Sequence, residues 1–129
     1  MRVLLVDDHR LVRHVLARVI CAEPDIEVVG EGSNGQEALV LTREIVPDVI
    51  LMNVRLPVLN GVEATRAILA EFPGIHVIGM TLVDNSAESQ AIREAGATAC
   101  VSKSGPMEDL IRAIRGCYPK KGAQIPRRE

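Results

Sequence analysis

The chain has 129 residues, a net charge of -2, and 47% hydrophobic and 25% charged residues. This length suits one domain that buries a core without disulfides. The near-neutral charge gives no indication of nucleic-acid binding, and the only aromatic residues, Phe72 and Tyr118, are too few for a base-stacking platform. No apolar run approaches the roughly 18 residues of a membrane span, and charged residues come too early for a signal peptide. Cys21, Cys100 and Cys117 have no CxxC or zinc spacing, so we expect a cytoplasmic protein without membrane contact.

Five apolar runs alternate with segments of helical periodicity, and each run is a candidate strand. The runs begin near Val3, Ile26, Val49, Ile75 and Ala99. After the first run, a helix is predicted over residues 9 to 22 because apolar residues recur there at helical spacing. These apolar residues are Leu11, Val12, Val15, Leu16, Val19 and Ile20, and the side opposite carries Arg10, Arg13, His14 and Arg18. We interpret the basic side as a solvated surface.

Capping residues, prolines and glycines mark the other helices. A capping box formed by Ser33 with Gln36, or by Asn34 with Glu37, starts the second helix, which should end before Pro47. The remaining signals are Gly61 and Pro73-Gly74 at the two ends of the third helix, Asn85 with Glu88 at the start of the fourth, and Pro106 in the first turn of the fifth, whose Leu110, Ile111 and Ile114 should face inward.

This alternation predicts an α/β fold, in which a five-stranded parallel sheet is covered by helices on both faces. The spacing of about 23 residues is also that of some leucine-rich repeats, but the segments are not self-similar and no L-x-x-L-x-L pattern recurs. A solenoid is therefore disfavoured.

Two adjacent acids, Asp7 and Asp8, directly follow the first strand. In an open parallel sheet, ligands bind at the carboxyl ends of the strands. Two carboxylates held there repel each other, and a hard cation such as Mg²⁺ relieves that repulsion. By themselves the acids could equally be the favourable charge at a helix N-terminus.

Further motifs follow the later strands: Asn53 ends the run from Asp48, Pro57 and Gly61 follow it, Thr81 ends Ile78-Gly79-Met80-Thr81, and Lys103 ends Cys100-Val101-Ser102-Lys103. With these motifs, residues 2 to 117 resemble the receiver domain of two-component response regulators. The resemblance implies a doubly wound, flavodoxin-like sheet of strand order 2-1-3-4-5. It also implies weak Mg²⁺ binding by Asp7, Asp8, position 53 and the backbone carbonyl of Arg55, and phosphoryl contacts by Thr81 and Lys103.

One position departs decisively from the family, because Asn53 stands where the family has its phosphoacceptor Asp. A neutral amide oxygen is a poor nucleophile and offers no charge to a metal. Two origins are compatible with the sequence: a natural receiver that signals without phosphorylation, or a deliberate or recent replacement of the acceptor, which the intact neighbouring residues favour. Cys100 also replaces the family's usual switch aromatic, and Leu82 is bulkier than the usual residue after Thr81.

The segments Gly61-Val62-Glu63-Ala64-Thr65 and Ala113-Ile114-Arg115 are similar to the LuxR/NarL-type branch, whose receivers precede a helix-turn-helix DNA-binding domain. We therefore expect a receiver domain over 1–117 and a basic linker or tail over 118–129, with the DNA-binding domain absent from this chain. The implied role is regulatory and not enzymatic. Implied partners are a histidine kinase, for a version with Asp at position 53, and a second copy of the chain. Self-association is expected through the first and fifth helices, or through the fourth helix, fifth strand and fifth helix, with Arg10, Arg13, Arg18, Arg112 and Arg115 supplying charges.

Two alternatives remain open. The first is a phosphorylation-independent pseudo-receiver that acts as a dimerisation or ligand-binding module. The second rests on residues 30 to 35, a G-x-G-x-x-G that follows a strand and opens a helix, as in a dinucleotide-binding fragment of an oxidoreductase. The acid expected about 20 residues later is missing, because position 53 is Asn. His9, beside the acids, is expected to point to solvent.

Overall fold

The computed structural model describes residues 1–82 and 86–117. The strands are β1 (Arg2–Val6), β2 (Glu27–Gly32), β3 (Val49–Asn53), β4 (His76–Thr81) and β5 (Ala99–Ser102). The helices are α1 (Arg10–Cys21), α2 (Gly35–Ile45), α3 (Gly61–Glu71), α4 (Ser86–Glu94) and α5 (Met107–Arg115). The predicted cap at Asn85 and the predicted tail over 118–129 lie outside the described residues.

The five strands form one parallel sheet in the order β2-β1-β3-β4-β5, which confirms the expected fold. Its register aligns the carboxyl ends of the inner strands. Val6 pairs with Met52, Asn53 pairs with Met80, and Thr81 pairs with Ser102. The polar residues that end or follow these strands are thereby brought to one edge of the sheet.

Alternate residues of the inner strands pack into two separate cores. On one face of β1, Val3 and Leu5 pack with α1 and α5; on the other, Leu4 and Val6 pack with α2, α3 and α4. Strands buried on both faces must be apolar at every position, which explains why they appear in the sequence as unbroken apolar runs. Leu110, Ile111 and Ile114 of α5 are buried as predicted.

The apolar side of α1 is narrower than predicted. Leu16 and Ile20 are buried, but Leu11 is 77% exposed and Val15 is 48% exposed. The inward-facing prediction was therefore wrong for these two residues, which lie four apart on a stripe beside the buried one. Arg13 was also assigned wrongly to the solvated side, because its side chain is only 18% exposed and pairs with Glu31 at 3.0 Å.

The second of the two proposed capping boxes starts α2. The Asn34 side chain accepts a hydrogen bond from the Glu37 backbone N–H at 2.8 Å, and the Glu37 carboxylate accepts one from the Ser33 backbone N–H at 2.7 Å. Hydrogen bonds from Ser33 lower the pKa of Glu37. At α5, Pro106 is the N-cap residue and not part of the first turn, a shift of one position from the prediction.

Candidate functional site

A buried ion pair lies at the carboxyl edge of the sheet. Asp7 follows β1 and is fully buried, and the Lys103 Nζ lies 2.7 Å from its Oδ2. The second carboxylate oxygen, Oδ1, accepts a hydrogen bond from the His9 backbone N–H at 2.9 Å. The Lys103 side chain is only 7% exposed, so the pair is well shielded from water. The residues that directly follow β1 and β5, 96 positions apart in sequence, are thus in direct contact.

Asn53, at the end of β3, is 5% exposed and contacts the second acid. Its Nδ2 donates to Asp8 Oδ1 at 3.1 Å and to the Arg55 carbonyl oxygen at 2.9 Å. The amide nitrogen therefore bridges the two oxygens that the resemblance assigns to a metal. The Asp8 side chain is 31% exposed, which leaves this side of the site accessible to solvent.

Thr81 and Lys103 are joined through the backbone, because the Lys103 N–H donates to the Thr81 carbonyl oxygen at 2.6 Å. Thr81 is 4% exposed, whereas Leu82, which follows it, is 68% exposed. The predicted site residues therefore share one edge of the sheet. Direct side-chain contacts join Asp7 to Lys103 and Asp8 to Asn53.

The oxygen atoms at this edge of the sheet are of the types that bind a divalent cation. Carboxylates and a backbone carbonyl are the oxygen ligands that Mg²⁺ prefers. Asp7, Asp8 and His9 also offer ligand atoms within 4.8 Å of one another. His9 Nδ1 lies 3.4 Å from one oxygen of each acid, although its side chain is 64% exposed. The prediction that His9 points to solvent is right about its exposure but missed this contact, which its position next to the acids could have suggested.

Two arginines near the site were not foreseen as its supports. The Arg13 Nη1 donates to the Asp7 carbonyl oxygen at 2.6 Å and so fixes the end of β1 to α1. The Arg55 guanidinium pairs with Glu88, which joins the loop after β3 to α4. Both contacts depend on how distant segments are brought together, and no local sequence pattern indicates them.

Cys100 lies partly buried on β5, close to the backbone of β4. A Cβ atom built on Gly79 would lie 3.3 Å from Cys100 Sγ and 2.8 Å from Ile92 Cγ2. The close approach of β4 to α4 therefore depends on glycine at position 79. The small Cys100 side chain fits this packing.

The arginines expected to serve a dimer interface are partly engaged within the chain. Arg115 lies 2.6 Å from Glu23 and 2.9 Å from Asp25, and its hydrogen bond lowers the pKa of Asp25. Arg112 lies 3.1 Å from Asp109. Together with Arg13, these residues pair with acids of the same chain, and the dimer interface stays a prediction.

Packing accounts for two of the three glycines of the G-x-G-x-x-G segment. A Cβ on Gly35 would lie 1.9 Å from the Leu59 carbonyl oxygen, and one on Gly30 would lie 2.8 Å from Ile45 Cδ1. The helix start that would hold a pyrophosphate already carries the Glu37 carboxylate. This negative charge opposes the binding of a dinucleotide.

A five-stranded parallel sheet of order 2-1-3-4-5, with two acids and a lysine at the carboxyl ends of its strands, defines a receiver-type α/β domain. Residues 3–115 match the family model described as the response regulator receiver domain, and the chain belongs to this family. No helix in the described ranges is long and apolar enough to cross a membrane.

Two similar proteins indicate the branch of the receiver family to which the chain is related. The chain is 37% identical to "Response regulator GacA" of Pseudomonas aeruginosa over 91% of this chain and 55% of that protein. It is 39% identical to "Transcriptional regulatory protein LiaR" of Bacillus subtilis over 96% of this chain and 60% of that protein. It therefore spans little more than half the length of these relatives.

Solved structures of response regulators of the same type are also similar to the chain. A LuxR-family two-component response regulator from Aurantimonas sp. SI85-9A1 matches with a TM-score of 0.85 and 37% identity, covering 89% of this chain and 82% of that one. The receiver domain of the putative response regulator NarL from Mycobacterium tuberculosis also gives a TM-score of 0.85, with 28% identity over 90% of this chain and 94% of that one. The chain is a two-component receiver domain of the LuxR/NarL type.

Proposed function

We propose that this receiver is blocked at the phosphoryl-transfer step by Asn53. The observation that carries the proposal is the position of Asn53: it is buried at the end of β3, beside Asp8, while the Asp7–Lys103 ion pair is intact. A carboxylate in this place can attack phosphorus to form an acyl phosphate, and the electron pair of the broken bond leaves with the donor. A neutral amide oxygen lacks the charge for this attack.

The remaining residues keep the roles that suit a version with Asp at position 53. In that version, Lys103 and Thr81 would contact the phosphoryl oxygens, and the Lys103 ammonium would offset their charge. Asp7, Asp8, the side chain at position 53 and the Arg55 carbonyl would hold Mg²⁺, which supplies positive charge against the transferring group. Binding by the present chain is weak, because one anionic ligand is missing and Lys103 remains beside Asp7.

The wider protein is proposed to regulate transcription. In this proposal residues 1–117 are the receiver and 118–129 are a basic linker or tail, and a helix-turn-helix DNA-binding domain belongs to the wider protein. The chain covers only 60% of a relative described as a transcriptional regulatory protein, which supports a further domain in the wider protein. A histidine kinase is the proposed phosphodonor for a version with Asp at position 53, and the role of the chain itself is regulatory and not enzymatic.

The test is phosphorylation of matched variants. The present protein, Asn53→Asp and Asn34→Asp are incubated with Mg²⁺ and a small acyl-phosphate donor, and their intact masses are measured. Only Asn53→Asp should gain a hydroxylamine-labile phosphoryl group, because Asn34 caps α2 away from the acid cluster and its replacement controls for a new carboxylate elsewhere. A labile adduct on the unchanged protein contradicts the proposal. Absence of an adduct on Asn53→Asp would show that another departure, such as Leu82, also disables the site.

A second candidate is the phosphorylation-independent module that dimerises. It is favoured by the exposed apolar pair Leu11 and Val15 on α1, a surface that a second copy of the chain could cover. The codon for position 53 in the source genome separates the candidates. An Asp codon would identify a changed acceptor, whereas an Asn codon would favour the module.

A further inference from the structure

We propose that the Asn53 side-chain amide nitrogen takes the place of a divalent cation between Asp8 and the Arg55 carbonyl, so that the site holds its arrangement without metal. This inference deepens the proposed function, because it rests on the assignment of these two oxygens as metal ligands. It adds that a cation binds only when the Asn53 amide flips, so that Oδ1 takes the place of Nδ2.

The chemistry of the two partners fixes the orientation of the amide. Asp8 Oδ1 and the Arg55 carbonyl oxygen are both acceptors, and one Asn53 atom lies 3.1 Å from the first and 2.9 Å from the second. Only a donor is stable between two acceptors, so this atom is Nδ2 and not Oδ1. An amide nitrogen carries two hydrogens, and each of them has an acceptor here.

Burial strengthens the two hydrogen bonds of the Asn53 amide. Asn53 is 5% exposed, so water competes poorly for its two hydrogen bonds. The bond to Asp8 is made to a charged acceptor, which makes it stronger than a bond between neutral groups. The amide thus joins the end of β1 to the loop after β3, as a shared cation would.

An aspartate at position 53 would remove the donor of both hydrogen bonds. Its oxygen would face two other acceptors, one of them charged, with no donor among the three atoms. Such a cluster is relieved only by a cation or a proton. In the present chain a cation must instead displace the amide hydrogens and receive Oδ1 in their place. Metal binding therefore breaks two hydrogen bonds. This cost lowers the affinity for Mg²⁺ in addition to the loss of one charged ligand.

The first test observes the hydrogen bonds directly. In protein labelled with ¹⁵N and ¹³C, a through-hydrogen-bond correlation is sought from Asn53 Nδ2 to the Arg55 carbonyl carbon. We expect it in chelator, and we expect it to weaken in proportion as Mg²⁺ shifts the Asp8 signals. The Asn34 side-chain amide, whose Oδ1 caps α2, serves as an internal control that should not respond.

Each outcome decides the proposal. A correlation that is absent in chelator overturns it, and so does one that persists when the Asp8 signals show the metal fully bound. An intact correlation with no response to Mg²⁺ supports the proposal, because the amide then holds the two oxygens at every Mg²⁺ concentration used.

The second test compares stability. Chelator should lower the urea midpoint of Asn53→Asp relative to millimolar Mg²⁺, and the same change should shift the unchanged protein by less than half as much. Equal dependence of both proteins on Mg²⁺ overturns the proposal. Neither test requires phosphorylation, so a failure here is distinguishable from a labile adduct on the unchanged protein, which would contradict the proposed function.

Discussion

Replacing Lys103 with methionine should destabilise the fold far more than the loss of an exposed ion pair. Asp7 is fully buried, and the Lys103 Nζ lies 2.7 Å from its Oδ2. Methionine keeps most of the length of the side chain, so the main loss is the charge partner of a buried carboxylate. Removing one member of a buried pair costs about 3–5 kcal/mol. Against a total stability of about 5–15 kcal/mol for a typical domain, this is a large fraction.

The assay is urea unfolding followed by far-ultraviolet circular dichroism. Arg43→Met is the control, because the Arg43 and Glu71 side chains are 53% and 46% exposed and such a pair contributes about 0–1 kcal/mol. The double variant Asp7→Asn with Lys103→Met removes both charges and should recover much of the loss. The reasoning is refuted if Lys103→Met costs no more than Arg43→Met, or if the double variant recovers nothing.

The remaining predictions concern packing and self-association. Gly61→Ala should lower the free energy of unfolding by about 3 kcal/mol, because a Cβ there would lie 2.1 Å from the Asn53 carbonyl oxygen; Gly74→Ala, with open space around its Cβ, should have little effect, and equal urea midpoints for the two variants would contradict this account. Beryllofluoride, a phosphoryl mimic, should leave the association constant measured by sedimentation unchanged, since Asn53 lacks the carboxylate that would bind it. A shift to dimer would show that the chain remains coupled to the phosphoryl signal.

Much of the fold could be predicted because the inner strands are buried on both faces and appear as continuous apolar runs. Alternation with helices then fixed the fold class, but the strand order came from the family resemblance, since alternation alone permits several orders. The exposure of Leu11 and Val15 could not be predicted from periodicity, because the width of the buried stripe depends on how α1 lies against the sheet. The partial burial of Arg13 likewise depends on Glu31 of the neighbouring strand.

The grouping of the site residues at one edge of the sheet could be predicted, whereas the orientation of the Asn53 amide required coordinates. The sequence placed five polar side chains at one edge, and the structure shows that the Asn53 amide donates to both neighbouring acceptors. As proposed, Asn53 differs from the family's Asp in three ways at once: it lacks the nucleophile, it lacks a negative charge that would attract a cation, and it supplies hydrogen bonds in place of that cation. Because Asn53→Asp reverses all three effects, it should restore phosphorylation and metal dependence together. A variant that regained one property without the other would show that these effects are separable.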